Sequence, residues 1–352
     1  MPTRRMNREQ FFGQLATFDE QRLKKALWNL YWRGAAATRE RIEAEIDPDQ
    51  HDRGKRRSKE PADPQQLLGE VGDFVALARS GAYMAGDRRV SPRERTRWRF
   101  TFQRLVADAQ DGLRAADAGA AATAVEQLID LACELRDYDY FRSEDPLEAA
   151  RLVVSDAAAL LWGKLQAQYG FSGFAERAAP QLIRWESRYG WTRSGCGRVS
   201  EKETSLASVL AQMLPAHDMW AGFADRYLDA LDQVARDEVA RPNRAWRPTG
   251  RDRDQRTAAL AEWHRLLFHR LIDSEAEDRL DRLTRHPALG GPELGFLQAQ
   301  LAYQRGDVSN ARSLVHAGLQ QLPGHQSLLD FATEIGAPLP PRAQQIIKER
   351  SR

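Results

Sequence analysis

Cys196 is the side chain with the most direct chemical potential. It sits in Arg193-Ser194-Gly195-Cys196-Gly197-Arg198, a glycine-flanked loop with two cations close by. Such a setting lowers a thiol pKa and favours the nucleophilic thiolate. A reactive thiol is therefore a candidate at Cys196, set against an incidental loop cysteine, and no general base is identifiable beside it. Cys133, amid Leu131, Ala132 and Leu135, reads as core packing. Two cysteines in all form neither a disulfide framework nor a Cys-rich zinc site, and they fit a reducing interior.

Arginine beside aromatic residues gives the second chemistry. Arg88, Arg89, Arg93, Arg95, Arg97 and Arg99 cluster around a helix start, with Trp98 and Phe100 interleaved. Arg184, Arg188, Arg193 and Arg198 accompany Trp185, Tyr189 and Trp191. Guanidinium groups pair with phosphate and rings stack on unpaired bases, so both clusters are candidate nucleic-acid surfaces. The competing reading places the arginines on solvated faces and the rings in the core. Trp98 and Phe102 share a helix face that Leu105 continues, which favours burial of that tryptophan.

Histidines and acids point to less. His264 and His269 are five residues apart, on different helix faces, and cannot grip one metal. His264 falls on the stripe Leu260, Trp263, Leu267 and Leu271 and reads as a core histidine; His217, after Leu214-Pro215, is as compatible with a turn and is assigned no role. Glu144-Asp145, and Asp139 between Tyr138 and Tyr140, read as caps and solvated loop charges rather than acid–base pairs. Phosphate-loop, dinucleotide, His-Glu-x-x-His and Gly-x-Ser-x-Gly motifs are absent from the sequence. No catalysis, cofactor or metal is expected.

The elements that must position these residues are helices. Phe102, Leu105, Val106, Ala109, Leu113 and Ala116 form one apolar stripe, and Val125, Leu128, Ile129, Ala132 and Leu135 another. Leu206, Val209, Leu210, Met213 and Leu214 form a third, and Trp220, Phe223, Tyr227, Leu228, Leu231 and Val234 a fourth. Ser91-Pro92-Arg93-Glu94 and Ser200-Glu201-Lys202-Glu203 read as capping boxes, and Asp63-Pro64 as another start. Period-two runs rich in Val, Ile and Thr are missing, so the fold class is all-α. Hydrophobic residues make up 42% and charged residues 29%, which excludes wholesale disorder. The net charge of +2 imposes no polyanion-binding tail.

Two basic, Pro- and Gly-containing stretches divide the chain. The expected order is an N-terminal helical hairpin (1–46), a basic linker (47–64), a central helical array (65–240), an Arg/Pro-rich linker (241–256) and C-terminal helices (257–352). Trp28 and Trp32, with Leu27 and Tyr31, make the first hairpin rich in aromatics; core burial is expected for them, with docking to a partner as the other reading. Arg4, Arg5 and Arg8 precede polar residues, so no signal peptide is expected. The most apolar runs, such as Leu152 to Trp162, are too short to span a bilayer. A cytoplasmic protein with no membrane partner is expected.

A repeat lies in the turns. Gly306 is followed by Ala311, Val315, Gly318 and Pro323, and preceded by a helical stretch with Leu301, Ala302 and Tyr303. This resembles a tetratricopeptide hairpin, in which small residues let two helices cross closely. Weaker echoes start at Gly119 (Ala124, Leu128, Leu131) and at Gly170 (Ala175, Ala179, Leu182). An irregular α bundle is the alternative to stacked helix pairs. The run from Phe18 to Leu27, and the stretches from Leu113 to Gly119 and from Ala124 to Leu128, resemble the α-helical repeat region of bacterial SWIM-type zinc-finger proteins. The finger itself needs Cys-x-Cys followed by Cys-x-His, which this sequence lacks, so zinc is not implied. The resemblance implies a helical interaction scaffold.

The expected function is a non-catalytic scaffold or adaptor that binds a protein partner along a concave helical face or through its N-terminal hairpin. Nucleic-acid binding through the arginine clusters is the alternative. An enzyme of unfamiliar design using Cys196 stands third.

Overall fold

The computed structural model describes residues 8–33, 42, 63–84, 89–115, 117–135, 137–143, 145–189, 197–240, 250–273 and 276–350. Among them the regular structure is helix throughout, with no strand. The chain forms two compact units, Met1–Pro61 and Ala62–Arg352.

The first unit contains α1 (Arg8–Leu15) and α2 (Glu20–Arg33). Asp19 starts α2: its carboxylate accepts the Arg22 N–H at 2.7 Å, filling one of the donors a first turn leaves open. No residue of α2 is buried. The expectation of core burial for Trp28 and Trp32 is corrected here, since they are 57% and 70% exposed.

The second unit begins with α3 (Pro64–Arg79), α4 (Pro92–Gly112) and α5 (Gly119–Glu134). Asp63 caps α3 through Gln65 N–H at 3.2 Å. Ser91 and Glu94 form the reciprocal capping box, each accepting the other's N–H at 3.2 Å. Gly72 approaches Gln127 and Arg79 pairs with Glu134 at 2.7 Å. Both pairs are 55 apart in sequence, so α3 and α5 run in the same direction. Phe141, in the loop beyond α5, stacks on Trp98 with ring centres 4.2 Å apart and also meets Phe74 and Tyr83.

After the short α6 (Pro146–Ala150), α7 spans Val154–Tyr189 with a break at Gly170. There φ is 66° and ψ −174°, a left-handed backbone that glycine adopts without penalty. The chain folds back on itself: Trp162 Nε1–H donates to Gln181 Oε1 at 2.8 Å, and Trp162 stacks on Trp185. Thus the Gly170 echo marks a hairpin, with Ala175, Ala179 and Leu182 fully buried.

The next elements are α8 (Arg198–Lys202), α9 (Leu206–Met213) and α10 (His217–Ala240). Here the expected capping box at Ser200 is corrected. Ser200 lies inside α8, and Glu203, just past its end, instead accepts the Val154 and Ser155 N–H groups at 2.6 and 3.0 Å. Helix α7 is therefore started by a carboxylate about fifty residues away.

Then follow α11 (Gly250–Ala259), α12 (Ala261–Asp273) and α13 (Glu277–Thr284). Residues 250–256, expected in a linker, are helical, and Arg256 pairs with Glu238 at 2.6 Å. Nor does the core stop there: Trp263 packs on Trp220 at 5.7 Å, and one apolar cluster runs from Leu67 to Leu301. Arg279 pairs with Asp225 at 2.8 Å and His286 with Asp232 at 3.0 Å, so α13 and its following turn run parallel to α10.

The chain ends in α14 (Gly291–Gln304), α15 (Val308–Gln321), α16 (Gln326–Glu334) and α17 (Pro341–Arg350), around a second, smaller core. Gly306 turns α14 into α15 with φ 80°. A Cβ on Gly318 would lie 2.9 Å from Leu328, so the small residue permits the close crossing of α15 and α16. By contrast, nothing lies within 4 Å of a Cβ on Gly295. Gly318→Leu should therefore lower stability by about 1–3 kcal/mol through overpacking. Gly295→Ala should raise it by about 0.4–1 kcal/mol. Urea unfolding of both variants tests this; equal effects would mean the crossing is not close.

Candidate functional site

Between α5 and the α7 hairpin lies a half-open trough of about 560 Å³. Helix α5 contributes Ala122, Thr123 and Glu126 to one wall, and Leu161 and Leu165 are buried in its lining. Tyr169, Pro180 and Arg184 contribute from the hairpin. The Gly170 turn shapes the trough, because it brings Tyr169 and Arg177 face to face with the guanidinium 4.0 Å from the ring centre. Trp162 and Gln181 hold the two arms together, as described above.

The charges of the trough differ in how they are held. Arg184 is tied to α5 by Glu126 at 2.5 Å and Asp130 at 2.9 Å. Asp130 also accepts the Trp185 indole N–H at 2.7 Å. Burial pushes the Asp130 carboxyl pKa up, against the opposing pull of Arg184 and the indole. Glu176 and Arg177, by contrast, pair with no charged group among the described residues. The trough thus offers an ion-pair network at Arg184, a mixed polar and apolar lining, the Glu176 carboxylate, and the Arg177 guanidinium held over the Tyr169 ring.

The two arginine clusters fare differently. Trp98 is buried as the helix periodicity implies. Arg89 donates to the Ser80 carbonyl, and Arg95 to the Val90 carbonyl at 3.3 Å. Arg93, Arg97 and Arg99 remain exposed and meet no carboxylate among the described residues. Phe100 beside them is 56% exposed, with the Arg99 guanidinium 4.9 Å from its ring centre. In the second cluster Trp185 is fully buried and Arg184 is engaged in ion pairs, so these two cannot serve as a stacking surface. Arg198 is exposed at the start of α8, where its backbone N–H meets Glu148. Arg88, Arg193, Cys196 and the side chain of Arg188 lie outside the described residues.

Cys133 is buried, its Sγ 3.9 Å from the Trp185 carbonyl. Among the described residues no three His, Cys, Asp or Glu side chains converge on a common point as a metal site. The trough residues Glu176, Arg177 and Tyr169 were not singled out by the sequence, although they flank the Gly170 echo. That turn signal could have directed attention to them, but which faces of two arms meet is a tertiary fact. No known protein family, curated protein or solved structure matches the chain.

His264 is fully buried, as its stripe implies, and its Nε2 lies 2.6 Å from Tyr227 Oη. Burial pushes its pKa down from 6.5 to about 3. The ring is therefore neutral in the folded protein, its Nε2 shares a hydrogen bond with the Tyr227 hydroxyl, and Nδ1 has no partner among the described residues. The unfolded chain takes up a proton near pH 6.5, while the folded one does not until about pH 3. Its contribution to stability is thus present above pH 6.5 and lost by about 1.4 kcal/mol per unit as pH falls below that. Between pH 7 and 5 the wild type should lose about 2 kcal/mol more stability than His264→Gln in urea unfolding. Equal losses would refute the neutral buried ring.

Proposed function

We propose that the chain is a non-catalytic, tetratricopeptide-like α-helical scaffold that binds a segment of a protein partner in the trough between α5 and the α7 hairpin. The observation that carries this reading is the trough itself: a mixed, largely polar lining with Glu176 and Arg177 at its side. An extended or helical peptide segment meets it with polar side chains inward and charges of both signs opposite Glu176 and Arg177. The Trp162–Gln181 hydrogen bond and the Trp162–Trp185 stack tie the two arms together, so the ordering cost of binding falls mostly on the partner. The tetratricopeptide character is supported by the parallel pairs α3 with α5 and α10 with α13, and by the glycine turns at Gly170 and Gly306. The resemblance to the helical repeat region of SWIM-type proteins fits the same role, in the cytoplasm and without zinc.

A second reading has its own observation. Arg93 and Arg97 share a helix face with the exposed ring of Phe100 on α4, the Arg99 guanidinium lies 4.9 Å from that ring, and none of the three has a carboxylate partner among the described residues. That combination suits a single-stranded nucleic acid, with phosphates on the guanidinium groups and a base on the ring.

An affinity pull-down from the native cell, with and without nuclease, separates the two. The scaffold reading expects a stoichiometric protein that survives nuclease and is lost, by roughly tenfold or more in affinity, when Glu176→Arg, Arg177→Glu and Tyr169→Ala are combined. Retention by that variant would move the site away from the trough. Co-purifying proteins released by nuclease would favour α4 instead. In that case binding to a single-stranded oligonucleotide should weaken with salt by a log–log slope of about −2, from three phosphate contacts, and Arg93→Ala with Arg97→Ala should reduce the slope.

A further inference from the structure

One wall of the trough is built of hydrogen-bond donors. On the second arm of α7, Arg177, Gln181 and Arg184 stand at i, i+4 and i+7 and so share a helix face, and all three line the trough. Arg184 is engaged by Glu126 and Asp130, while Arg177 lies over the Tyr169 ring. Gln181 is only 6% exposed. An indole N–H can only donate, so the Gln181 atom that meets Trp162 Nε1 at 2.8 Å is the amide oxygen. The Nε2 amino group is thereby turned away from Trp162. It has no acceptor among the described residues, and it opens on the trough that Gln181 lines.

The facing helix brings further donors. Gly119 and Thr123, in the first turns of α5, line the same trough. Ala118 offers that helix start no side-chain cap. The Gly119 N–H reaches the Asp117 carboxylate at 3.2 Å, and the Ala120 and Ala121 N–H groups have no acceptor among the described residues. From the Glu126–Arg184 pair the lining runs back seven residues on each helix, to Gly119 on one and Arg177 on the other. The open start of α5 is therefore level with Arg177, one turn beyond Gln181.

We propose that this end of the trough seats the carboxylate of an acidic side chain, carried by the bound peptide segment, between the Gln181 amide, the Arg177 guanidinium and the start of α5. The inference rests on the reading of the trough as a peptide site and names the residue which that site selects. A helix start and a guanidinium both favour a negative group. Lys164 adds positive charge nearby, donating to the Ala115 carbonyl at 2.5 Å just ahead of that start. Asp117 at the helix start, with Glu126 and Glu176 in the lining, repels a phosphate dianion more than a carboxylate, so a single charge fits. A chain terminus would bring its own N–H into a wall of donors. An acidic side chain brings acceptors alone, and its methylene groups meet the buried Leu161 and Leu165 of the lining. Glu176, one residue round the helix from Arg177, is left for a cation of the same segment.

The test titrates the full chain with a blocked pentapeptide carrying glutamate at its centre, or glutamine there instead, and follows amide NMR signals. Saturable shifts of the Gln181 side-chain amide and of the Ala120 and Ala121 N–H groups are expected with the glutamate peptide. The glutamine peptide should bind about tenfold more weakly or worse. Gln181→Glu keeps an oxygen for Trp162 but replaces the donor by negative charge, and Arg177→Gln removes an exposed cation. Each should weaken binding of the glutamate peptide by about tenfold or more. Because Arg177 is exposed, its variant should unfold at the wild-type temperature, which separates loss of binding from loss of fold. Absent shifts, equal binding of the glutamine peptide or undiminished binding by both variants would overturn the proposal. So would tighter binding of inorganic phosphate, or of an acid-free peptide with an unblocked C-terminus. The pull-down tells this inference from the scaffold reading. A protein that both single variants retain and the triple trough variant loses keeps the peptide site and removes the carboxylate from it. Binding of the glutamate peptide with no trough-dependent protein keeps the carboxylate site and removes the scaffold role.

Discussion

A fold made of many short helices must satisfy the N–H groups that every helix start leaves open, and at α7, α8 and α9 carboxylates distant in sequence take part in that work beside the local caps found elsewhere. Glu203 takes the first donors of α7, and Glu148 takes the Arg198 and Val199 N–H groups at 3.2 and 2.9 Å, starting α8. Glu186, almost fully buried, accepts the Leu206 N–H at 3.2 Å at the start of α9, where Ser205 Oγ accepts the Ser208 N–H at 3.0 Å. Glu262 takes the hydroxyls of Ser205 and Ser208 in the same turn. Each contact is local in space and distant in sequence. Removing one carboxylate strands partly buried donors, at about 1–3 kcal/mol each, and it also frees the angle at which one helix meets the next. Capping here therefore sets tertiary geometry as well as secondary structure.

The trough inherits its shape from that geometry. Helix α7 begins where Glu203 holds it and reverses at Gly170, and its second arm carries Glu186, which begins α9. Between those fixed points, Arg184 anchors the second arm to α5 through Glu126 and Asp130. The same interactions that stabilise the hairpin leave Glu176 and Arg177 without partners of opposite charge among the described residues. Two histidines apply the capping logic elsewhere. His325 accepts the Leu328 N–H on Nδ1 and donates Nε2–H to Glu293 at 2.7 Å; His286 accepts from Ala288 and donates to Asp232 in the same way. In each the acceptor role of Nδ1 assigns the proton to Nε2.

Much of the helix pattern was legible because it is local. The Ser91 box, the Asp63 cap and the stripes on α4, α5 and α10 depend on residues within a turn or two of each other, and they appear where the spacing places them. The glycine echoes were legible for a related reason: Gly170 and Gly306 adopt left-handed backbone that a side chain would resist, and the small residues after them are buried. The Gly119 echo has the buried positions without the left-handed turn. Ser200 misled because a capping box is defined by its own four residues, whereas the start of α8 is set by Glu148, from another element. The arginine-rich stretch up to Arg256 misled likewise, since Glu238 converts part of an apparently solvated run into a packed helix. Local pattern identifies a helix; the partner that completes its ends and faces lies elsewhere in the chain.

The aromatic residues carry that argument furthest. Trp98 and Phe102 stand four apart on α4, and so do Trp28 and Trp32 on α2, so helical spacing alone assigns both pairs the same fate. Their surroundings differ. Phe141, arriving from a loop, closes over Trp98 and Phe102, while the α2 pair stays open. Trp162, Trp185, Trp220 and Trp263 are fully buried as two stacked pairs. Burying a large apolar side chain is worth about 1.5–3 kcal/mol. For the stacked pairs that free energy belongs to folding and holds the helices together. Trp28 and Trp32, 57% and 70% exposed, bring little of that free energy to folding.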